Sequence, residues 1–554
     1  MITIKEFTKS AVIVQTVFLV FCGYLALAQN VIINEAMSQN SDSFEDPIFE
    51  KTFDWIELRN TSNTDINLFG YYLTDDKNNL QKFKFLNPSE IVGAQGYRIF
   101  WASGTPLLGS DHLNFKLSDN GESIYLVGQD GLTIIDSLIM PKLSHDISYG
   151  KEVTNPAVLR YYFPASPGIE NKTENAFLGI LEDPTFSHES GFYSNAFSLT
   201  FLDTTPGDSI VYTVDSSDPE IGNIIPKNWS YISSYPYGSG VTSYTQNTKT
   251  AQSYLYQSGI SVSAASPSLR YSDIPTDWSA NPQYLYSGQY WDACKVVTAK
   301  RIKHGYISSK TVSKSYFNTL NKVNPSFPIV SLRVNPEDLF EKNGGIYIPG
   351  MVPVSYKISN NQSEPIYKKF NSFNFKDKNL YGTFTYIENG ENIIDNQVRV
   401  NIRGKYSSQF PLKGFNLKMR DSNEDDFDLE KFGWNGTDKS NKIMLRNGGN
   451  DYLASHFKDA LTHEVSKNMN LELMRYRPAN QFLNGEYWGV INIRDRIKSD
   501  YLANKYGIEK NFIEINEFNV EGDDLSPDFE SFLDFVKNNN MGVSSNFEYF
   551  KKKV

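Results

Sequence analysis

The chain has 554 residues, of which 53 are Lys or Arg and 64 are Asp or Glu, and its net charge is −11. A chain of this length is too long to fold around one hydrophobic core, and it indicates roughly three or four domains. The acidic balance, without a basic stripe interleaved with aromatic residues, argues against nucleic acid as a partner. The aromatic share of 14% favours a β-rich protein.

The N-terminus has the pattern of a secretory signal peptide. Lys5 and Lys9 form a basic region, a mostly apolar run follows from Ala11, and Ala26-Leu27-Ala28 supplies small residues for cleavage. The alternative is a retained membrane anchor, for which the run is marginal. We predict that residues 1–28 are removed, that no membrane span follows, and that the protein is exported to the cell surface or the extracellular space.

The two cysteines predict a mature chain without an internal disulfide. Cys22 leaves with the signal peptide, and Cys294 then remains alone. We interpret Cys294 as a small buried hydrophobe rather than a nucleophile, because no His lies near it in the sequence.

Residues 30–150 alternate short strands with tight turns, which is typical of an all-β sandwich. A hairpin is predicted from Phe115–Leu117 through an Asn120-Gly121 turn into Ser123–Val127. The other predicted strands are Val31–Ile33, Trp55–Leu58, Ile66–Leu68 and Tyr71–Leu73.

The same segment resembles the lamin-tail domain family. The matching stretches are Ile32–Glu35, Asp54–Asn60, Leu68–Asp75, Asn120–Glu122, Ser148–Gly150 and Pro164–Gly168. The resemblance implies an immunoglobulin-like sandwich that binds or spaces and carries no catalytic residues. We expect Asp54 and Glu57 to lie on a solvated strand edge rather than in a metal site, because charges are mostly exposed.

A Pro-, Asn- and Gly-containing stretch at 151–182 is predicted to be a linker, and a second β segment follows over 183–317. This segment resembles the small sandwich appended to chitobiase and hexosaminidase enzymes, which implies a second immunoglobulin-like module. The stretches that carry the resemblance are Phe192-Tyr193, Thr205–Gly207, Ile210–Thr213, Asp215–Pro219, Val296–Lys300 and Val312–Phe317.

An insertion rich in Ser, Tyr, Gly and Pro interrupts this second module over 222–290. Loops of this length are usually functional or loosely ordered. Trp278, Trp291 and the many Tyr residues suit stacking on sugars, or packing of the insertion onto its own sandwich. Of the two alternatives we favour packing, and a glycan partner stays open.

After a linker at 318–327, the segment 328–554 is predicted to be an α+β domain, with strands first and helices later. The predicted strands are Ile329–Val334, Val398–Gly404, Phe415–Met419, Asn480–Leu483 and Gly489–Ile493. The second of these runs into a turn and is predicted to pair with the third. One helix is predicted over 457–469 from apolar residues at three- and four-residue spacing, and another near Ile497.

This third segment resembles the CotH family of spore-coat-type secreted protein kinases. The stretches that carry the resemblance, in the family's order and spacing, are Ile402–Ser408, Pro411–Lys418, Leu445–Asp451 into Phe457–Leu461, and Phe482–Gly489 into Asn492–Ile497. The resemblance implies transfer of phosphate from ATP, with magnesium, to hydroxyl groups of an unidentified surface or extracellular protein.

Phosphoryl transfer needs a cation on the phosphates, an acidic partner for it, a base and magnesium ligands. Lys413 is the candidate phosphate-contacting lysine, and Arg403 in the preceding turn is a further nucleotide-binding candidate. Lys418 lies an odd number of positions along the same strand and should face the other side. Asp495 stands where the family usually has Glu; it is either the partner of the lysine or an exposed charge at a helix start.

The family's base and metal ligands lie in an Asn-Thr-Asp-Trp-Pro-like loop and a later Asp-x-Asp-Phe-Gly-like stretch, and neither occurs after residue 500. Thr276-Asp277-Trp278 is superficially similar, but it lies upstream of Lys413, and we interpret the similarity as a coincidence. Glu486 is interpreted as an exposed turn residue. The third domain is therefore expected to be C-terminally incomplete, and the chain to be inactive or nearly so.

Two functions follow. The first is an exported, kinase-like protein of the CotH type, with two β modules that place it at the surface. The second is a non-catalytic surface protein whose sandwiches bind partners or glycans while the third domain serves as a scaffold.

Overall fold

The structure, a computed structural model, describes residues 30–553 with short gaps. The gaps are 42, 50, 203–205, 264–269, 279–291, 319, 321–322, 324–325, 361–364, 366, 421–425, 435–438, 453, 470, 509–512, 514 and 516–526. The predicted signal peptide lies outside the described residues, as does Trp291. The chain divides into two compact units, the first mainly up to Glu182 and the second mainly from Asp183 onward.

The described residues of the first unit form two main β-sheets. One has the order β14-β13-β12-β1-β4-β9 and the other β11-β10-β6-β7, beside the short pairs β2-β3 and β5-β8. The strands are β1 (Val31–Met37), β2 (Glu45–Asp46), β3 (Lys51–Thr52), β4 (Trp55–Asn60), β5 (Ile66–Asn67), β6 (Tyr72–Thr74), β7 (Phe83–Lys84), β8 (Ile91–Val92), β9 (Tyr97–Trp101), β10 (Glu122–Val127), β11 (Ile134–Met140), β12 (Ser148–Lys151), β13 (Leu159–Tyr162) and β14 (Ala176–Phe177).

The β-branched run at the start of the first unit forms its central strand. All seven residues of β1 are buried, and β1 pairs antiparallel with both β4 and β12. Ile33 and Leu58 from the larger sheet share one core cluster with Leu73 and Leu126 from the smaller sheet. Two sheets that enclose a common apolar layer make a β-sandwich, as the strand pattern predicted.

The predicted Phe115–Val127 hairpin is wrong. Phe115 and Leu117 are buried in the core but belong to no strand, and β10 pairs instead with β11 and β6. The apolar alternation at Phe115 and Leu117 indicated burial correctly. It did not indicate the pairing partner, because a short apolar run contacts the core equally well from a loop.

Two carboxylates that we expected near the surface are partly or fully buried. Glu57 is 0% exposed, as is Glu35 on the neighbouring strand. Glu57 accepts hydrogen bonds from Asn34 Nδ2, at 2.7 Å, and from the Gly168 N–H. Asp54 is half-buried and accepts the N–H of Asn40 at 3.3 Å. The prediction of a solvated edge is therefore wrong for Glu57, because the segment after β13 folds back over this face.

The second unit begins with an open sheet of order β15-β23-β22-β17-β20 and the short pairs β16-β21 and β18-β19. Their bounds are β15 (Gly191–Phe192), β16 (Phe197–Leu199), β17 (Ser209–Thr213), β18 (Lys227–Ser234), β19 (Thr245–Ala251), β20 (Tyr254–Leu255), β21 (Ile260–Val262), β22 (Cys294–Ile302) and β23 (Val312–Phe317). Cys294 is buried, and burial raises the pKa of its thiol to about 12. Its interpretation as a buried hydrophobe is confirmed.

The remaining strands close into a barrel of order β24-β25-β26-β27-β30-β32-β31, beside the pair β28-β29. They are β24 (Ile329–Val334), β25 (Leu380–Glu388), β26 (Glu391–Arg403), β27 (Gly414–Met419), β28 (Phe427–Asp428), β29 (Lys439–Ser440), β30 (Lys442–Arg446), β31 (Tyr476–Leu483) and β32 (Glu486–Asp495). The predicted pairing of the strands around the Arg403-Gly404 turn is confirmed, since Val398 pairs with Met419 and Arg403 with Gly414.

The insertion packs onto the barrel rather than onto its own sandwich. Its strands β18 and β19 form an antiparallel hairpin. Trp229 and Tyr231 of this hairpin, with Tyr271 and Ile274 further along, belong to the same core cluster as the barrel residues. The expectation that the insertion packs was right, but the partner was wrong. Aromatic composition predicts burial and carries no information about the surface that accepts it.

The described α-helices are short. They are α1 (Pro336–Phe340), α2 (Met351–Asn360), α3 (Asn371–Asn374), α4 (Lys458–Val465), α5 (Ser499–Tyr506), α6 (Pro527–Asn538) and α7 (Ser544–Lys553). Single 3-10 turns occur at Pro106–Leu108, Thr173–Asn175, Ile221–Ile224, Tyr271–Asp273, Tyr367–Lys369, Tyr406–Gln409, Leu429–Phe432 and Gly449–Asp451. The predicted 457–469 helix is present as the shorter α4. Among the described residues, no helix combines the length and apolarity that crossing a membrane requires.

The buried carboxyl of Glu57 predicts a pH-dependent first unit. Burial, with Glu35 nearby as a second cause, raises the pKa of Glu57 to about 8 from 4.5. The folded state keeps a proton that the unfolded chain releases across this window. Stability therefore falls as pH rises from about 5 to 8, by up to about 1.4 kcal/mol per pH unit from this group. Glu57→Gln should flatten this slope.

The measurement is hydrogen exchange of the Val31–Met37 peptide in the full chain, compared with wild type at each pH from 5 to 8. Glu170→Gln, at an exposed position of the same unit, is the matched control and should keep the wild-type pH dependence. An unchanged slope in Glu57→Gln would contradict the assignment.

Candidate functional site

The candidate lysine lies just before β27, at one end of the barrel. The chain leaves β26 at Arg403 and turns through Gly404, whose φ of +105° favours glycine. The 3-10 turn Tyr406–Gln409 then leads through Lys413 into β27. Asn447 Nδ2 donates to the Leu412 carbonyl at 2.6 Å and holds this return segment in place.

The side chain of Lys413 is fully buried. Its Nζ donates to the carbonyl oxygens of Thr276 and Phe410, each at 2.8 Å, and lies 5.4 Å from the centroid of the Tyr347 ring. Its main-chain N–H donates to the Tyr347 hydroxyl at 2.9 Å. Burial lowers the pKa of Lys413 to about 7, opposed by the negative charge of Asp277. The ammonium is thus solvated by protein carbonyls instead of water.

The Thr276 carbonyl belongs to a segment of the insertion, Tyr271–Trp278, which we call the strap. Thr276 also donates from Oγ1 to the Pro411 carbonyl at 2.9 Å. The Trp278 ring packs against Tyr235, with 4.9 Å between ring centroids, and against Phe370 at 6.0 Å. The strap therefore crosses the barrel end where Lys413 lies.

Glu486 holds the start of the strap. Its two carboxylate oxygens accept the main-chain N–H groups of Tyr271 and Ser272, each at 2.8 Å. The side chain is 5% exposed, and burial raises its pKa. Our interpretation of Glu486 as an exposed turn residue is wrong, because the strap covers the turn between β31 and β32.

The structure does not bring Asp495 to Lys413. Asp495 is 0% exposed and accepts the main-chain N–H and the Nε of Arg475, both at 2.8 Å. It pairs with Ile443, which pairs with Leu417. Asp495 is therefore level with a residue four positions beyond Lys413, roughly 13 Å along the strand direction at 3.3 Å per residue. Neither predicted role of Asp495, lysine partner or exposed charge, is what the structure shows.

The other two candidates lie on the β26–β27 hairpin. Arg403 Nη1 donates to Asn416 Oδ1 at 3.3 Å. Lys418 is half-buried and stands opposite Arg399 and Lys442 in the barrel wall. Lys418 thus differs from Lys413 in burial, and the expectation that the two face opposite sides of one strand stays a prediction because Lys413 lies before β27. The nucleotide-binding roles of Lys413, Arg403 and Lys418 remain predictions.

Sequence reasoning missed the strap. The similarity of Thr276-Asp277-Trp278 to a family loop was the available signal, and its upstream position was the reason for setting it aside. The structure places this tripeptide against Lys413, 137 positions away in sequence. Position in the chain was a poor guide because the insertion reaches across to the barrel.

The donor set around Lys413 does not fit a nucleotide with magnesium in this arrangement. The ammonium is fully buried and two of its protons are bonded to carbonyl oxygens. Asp495 is paired with Arg475. No group of three or more His, Cys, Asp or Glu side chains is placed to hold a metal ion in the part of the chain that the structure describes.

These features define a modular protein with an N-terminal β-sandwich and a C-terminal barrel that carries a covered lysine. Comparison with protein families assigns two of its parts. Residues 26–139 match the Lamin Tail Domain, and residues 400–553 match the CotH kinase protein family. The resemblances to the lamin-tail and CotH families are thereby confirmed, and the resemblance of 183–317 to the chitobiase-type sandwich stays a prediction. A search of curated proteins returned no match.

Because Lys413 is buried, we expect its removal to relieve a cost in the stability of the second unit. The folded pKa of about 7 lies below the ordinary value of 10.5, so the folded state disfavours the charged form. The penalty is complete below pH 7 and disappears as pH rises toward 10.5. Lys413→Met removes this penalty, so the free energy of unfolding of the variant relative to wild type should be higher at pH 7 than at pH 9, by up to about 1.4 kcal/mol per pH unit.

Pulse proteolysis in urea at both pH values measures this difference on the full chain. Lys405→Met, at an exposed position in the preceding turn, should change stability by less than about 0.5 kcal/mol. If the free energy of unfolding of Lys413→Met is lower than that of wild type by an amount that does not depend on pH, the ammonium is not held in the way described.

Proposed function

We propose that this chain is an exported surface protein with a CotH-type, kinase-like domain, in which Lys413 is the group that contacts phosphates and is covered in the described conformation. The observation that carries the proposal is the position of Lys413. It lies in the segment that matches the CotH kinase protein family, at a barrel end, with its side chain buried and its pKa lowered.

A lysine with this environment is typical of functional sites. Structural lysines are usually exposed or snorkel to water, whereas strongly perturbed lysines are concentrated where a charge is used. A phosphoryl group is stabilised by a cation that no longer has to shed a full water shell. Lys413 meets that condition once the carbonyls that bind it move away.

The described arrangement is catalytically silent under this proposal. ATP and magnesium would supply the phosphoryl group and its charge neutralisation. The residues around Lys413 do not accept them as placed, because the Thr276 and Phe410 carbonyls occupy the ammonium.

The rival function is a non-catalytic scaffold. The observation that favours it is the shared core of the insertion and the barrel, in which Trp229 and Tyr231 pack with the barrel residues. Under that function, Lys413 joins the insertion to the barrel through its bond to the Thr276 carbonyl. The sandwiches then bind partners or glycans.

A phosphotransfer assay tests whether the chain lacks kinase activity, as proposed. Purified wild type and Lys413→Met are incubated with γ-labelled ATP, magnesium and dephosphorylated casein. We expect no transfer above background by either protein, to casein or to the chain itself. Turnover by wild type that disappears in Lys413→Met would contradict silence and would support an active kinase.

Export is tested by the N-terminus of the mature protein. When the full chain is expressed in a host with a secretory pathway, the secreted product should begin at Gln29, by intact mass and N-terminal sequencing. Ala28→Lys replaces the small residue at the cleavage position and should block processing. A secreted or cell-associated wild type that retains residues 1–28 would contradict removal.

A further inference from the structure

The strap comes from outside the segment that matches the CotH kinase protein family, which starts at residue 400. It is part of the insertion in the second β module, yet it covers the lysine of the third. A cover supplied by a separate module can in principle be withdrawn without unfolding the barrel strands that it covers.

The polar contacts between the barrel and the strap involve mainly the strap's main chain. At one end the Glu486 carboxylate accepts two N–H groups, from Tyr271 and Ser272. At the other end the Lys413 ammonium donates to the Thr276 carbonyl, while the Pro411 carbonyl accepts from Thr276 Oγ1. The acidic Glu486 thus binds main-chain N–H groups of the strap, and the basic Lys413 binds a main-chain carbonyl of the strap.

Within the strap, Tyr271, Ile274 and Thr276 are buried, and Asp277 and Trp278 are less so. Tyr271 and Ile274 are 3% and 2% exposed and belong to the barrel core. Asp277 and Trp278 are only half-buried. Lifting Thr276–Trp278 alone breaks the bonds to Lys413 and Pro411 and the ring contacts of Trp278. It leaves the core contacts of Tyr271 and the bonds to Glu486 in place, so a local opening is sufficient to separate the strap from the ammonium.

While the strap is in place, at most one proton of the Lys413 ammonium is left for a phosphate. An ammonium has three protons, and two of them are committed to the carbonyls of Thr276 and Phe410. Asp277 puts a negative charge near the ammonium, where it would repel an incoming phosphate. Because Lys413 is fully buried, an anion reaches it only after the strap has moved.

We propose that the strap is an intramolecular cover that competes with a phosphate-bearing ligand for the Lys413 ammonium. Competition with a phosphate-bearing ligand rests on the proposed function. That the strap blocks access to Lys413 does not, and it is tested separately. Regulation of the site then consists of whatever displaces Thr276–Trp278 from the barrel end.

The experiment measures the reactivity of Lys413 in the full chain. Wild type, Trp278→Ala and Thr276→Val are acetylated with an amine-directed N-hydroxysuccinimide ester at pH 7.5. Peptide mass spectrometry then gives the rate at Lys413 relative to the exposed Lys405. Tyr254→Ala is the matched control. Tyr254 is an exposed aromatic residue of the same insertion, but it lies outside the strap and packs against Tyr212.

We expect slow labelling of Lys413 in wild type and in Tyr254→Ala, and labelling about tenfold faster in Trp278→Ala, the ratio that corresponds to a loss of about 1.4 kcal/mol. Thr276→Val, which loses only the Oγ1 bond, should lie between them. Circular dichroism and the urea midpoint verify that each variant is folded. Fast labelling of Lys413 in wild type, or slow labelling in both folded strap variants, would overturn the cover.

Added ATP with magnesium distinguishes the cover from the proposed function. Protection of Lys413 by ATP in Trp278→Ala, and weaker protection in wild type, supports competition. Faster labelling in Trp278→Ala that ATP does not slow would leave the cover standing and overturn both the competition and the nucleotide role of Lys413.

Discussion

The orientation of the strap at the barrel end depends on one interaction between a charge and a dipole inside the protein, the bond from the Lys413 ammonium to the Thr276 carbonyl. An ammonium without water is costly, and its cost is lowered only by oriented acceptors. The barrel supplies the Phe410 carbonyl from its own return segment, and the second acceptor comes from the insertion. The environment of the lysine is therefore complete only when two modules are folded together.

Apolar burial brings the insertion to the barrel end where this bond forms. A hairpin with Trp229 and Tyr231 on one face buries these rings against the barrel core, and the strap continues from that fixed surface. The apolar contacts bring the strap to the barrel end, and the polar contacts of Glu486 and Lys413 determine how its backbone is oriented there. Burial thus places the strap, and hydrogen bonding gives it one register.

The first unit uses buried charge in a different way. Glu35 and Glu57 lie on adjacent strands and are satisfied by hydroxyl, amide and main-chain donors such as Ser166 and Asn34. Ser166 belongs to the segment that closes over the sandwich, whereas Asn34 lies on β1 itself. In both units, buried ionisable groups connect the sheet to the chain that covers it, and the energy of the connection depends on protonation.

The sequence by itself determined the strand-rich class, the pairing around the Arg403-Gly404 turn and the two family matches, because these follow from local alternation, turn chemistry and residue order. It did not determine that Asp495 binds Arg475, that Glu486 is buried or that Thr276-Asp277-Trp278 covers Lys413. Those facts arise from contacts between residues distant in the chain. A charged side chain has the same local signature whether it meets water or a carbonyl, and only the packed tertiary structure decides which of the two it meets.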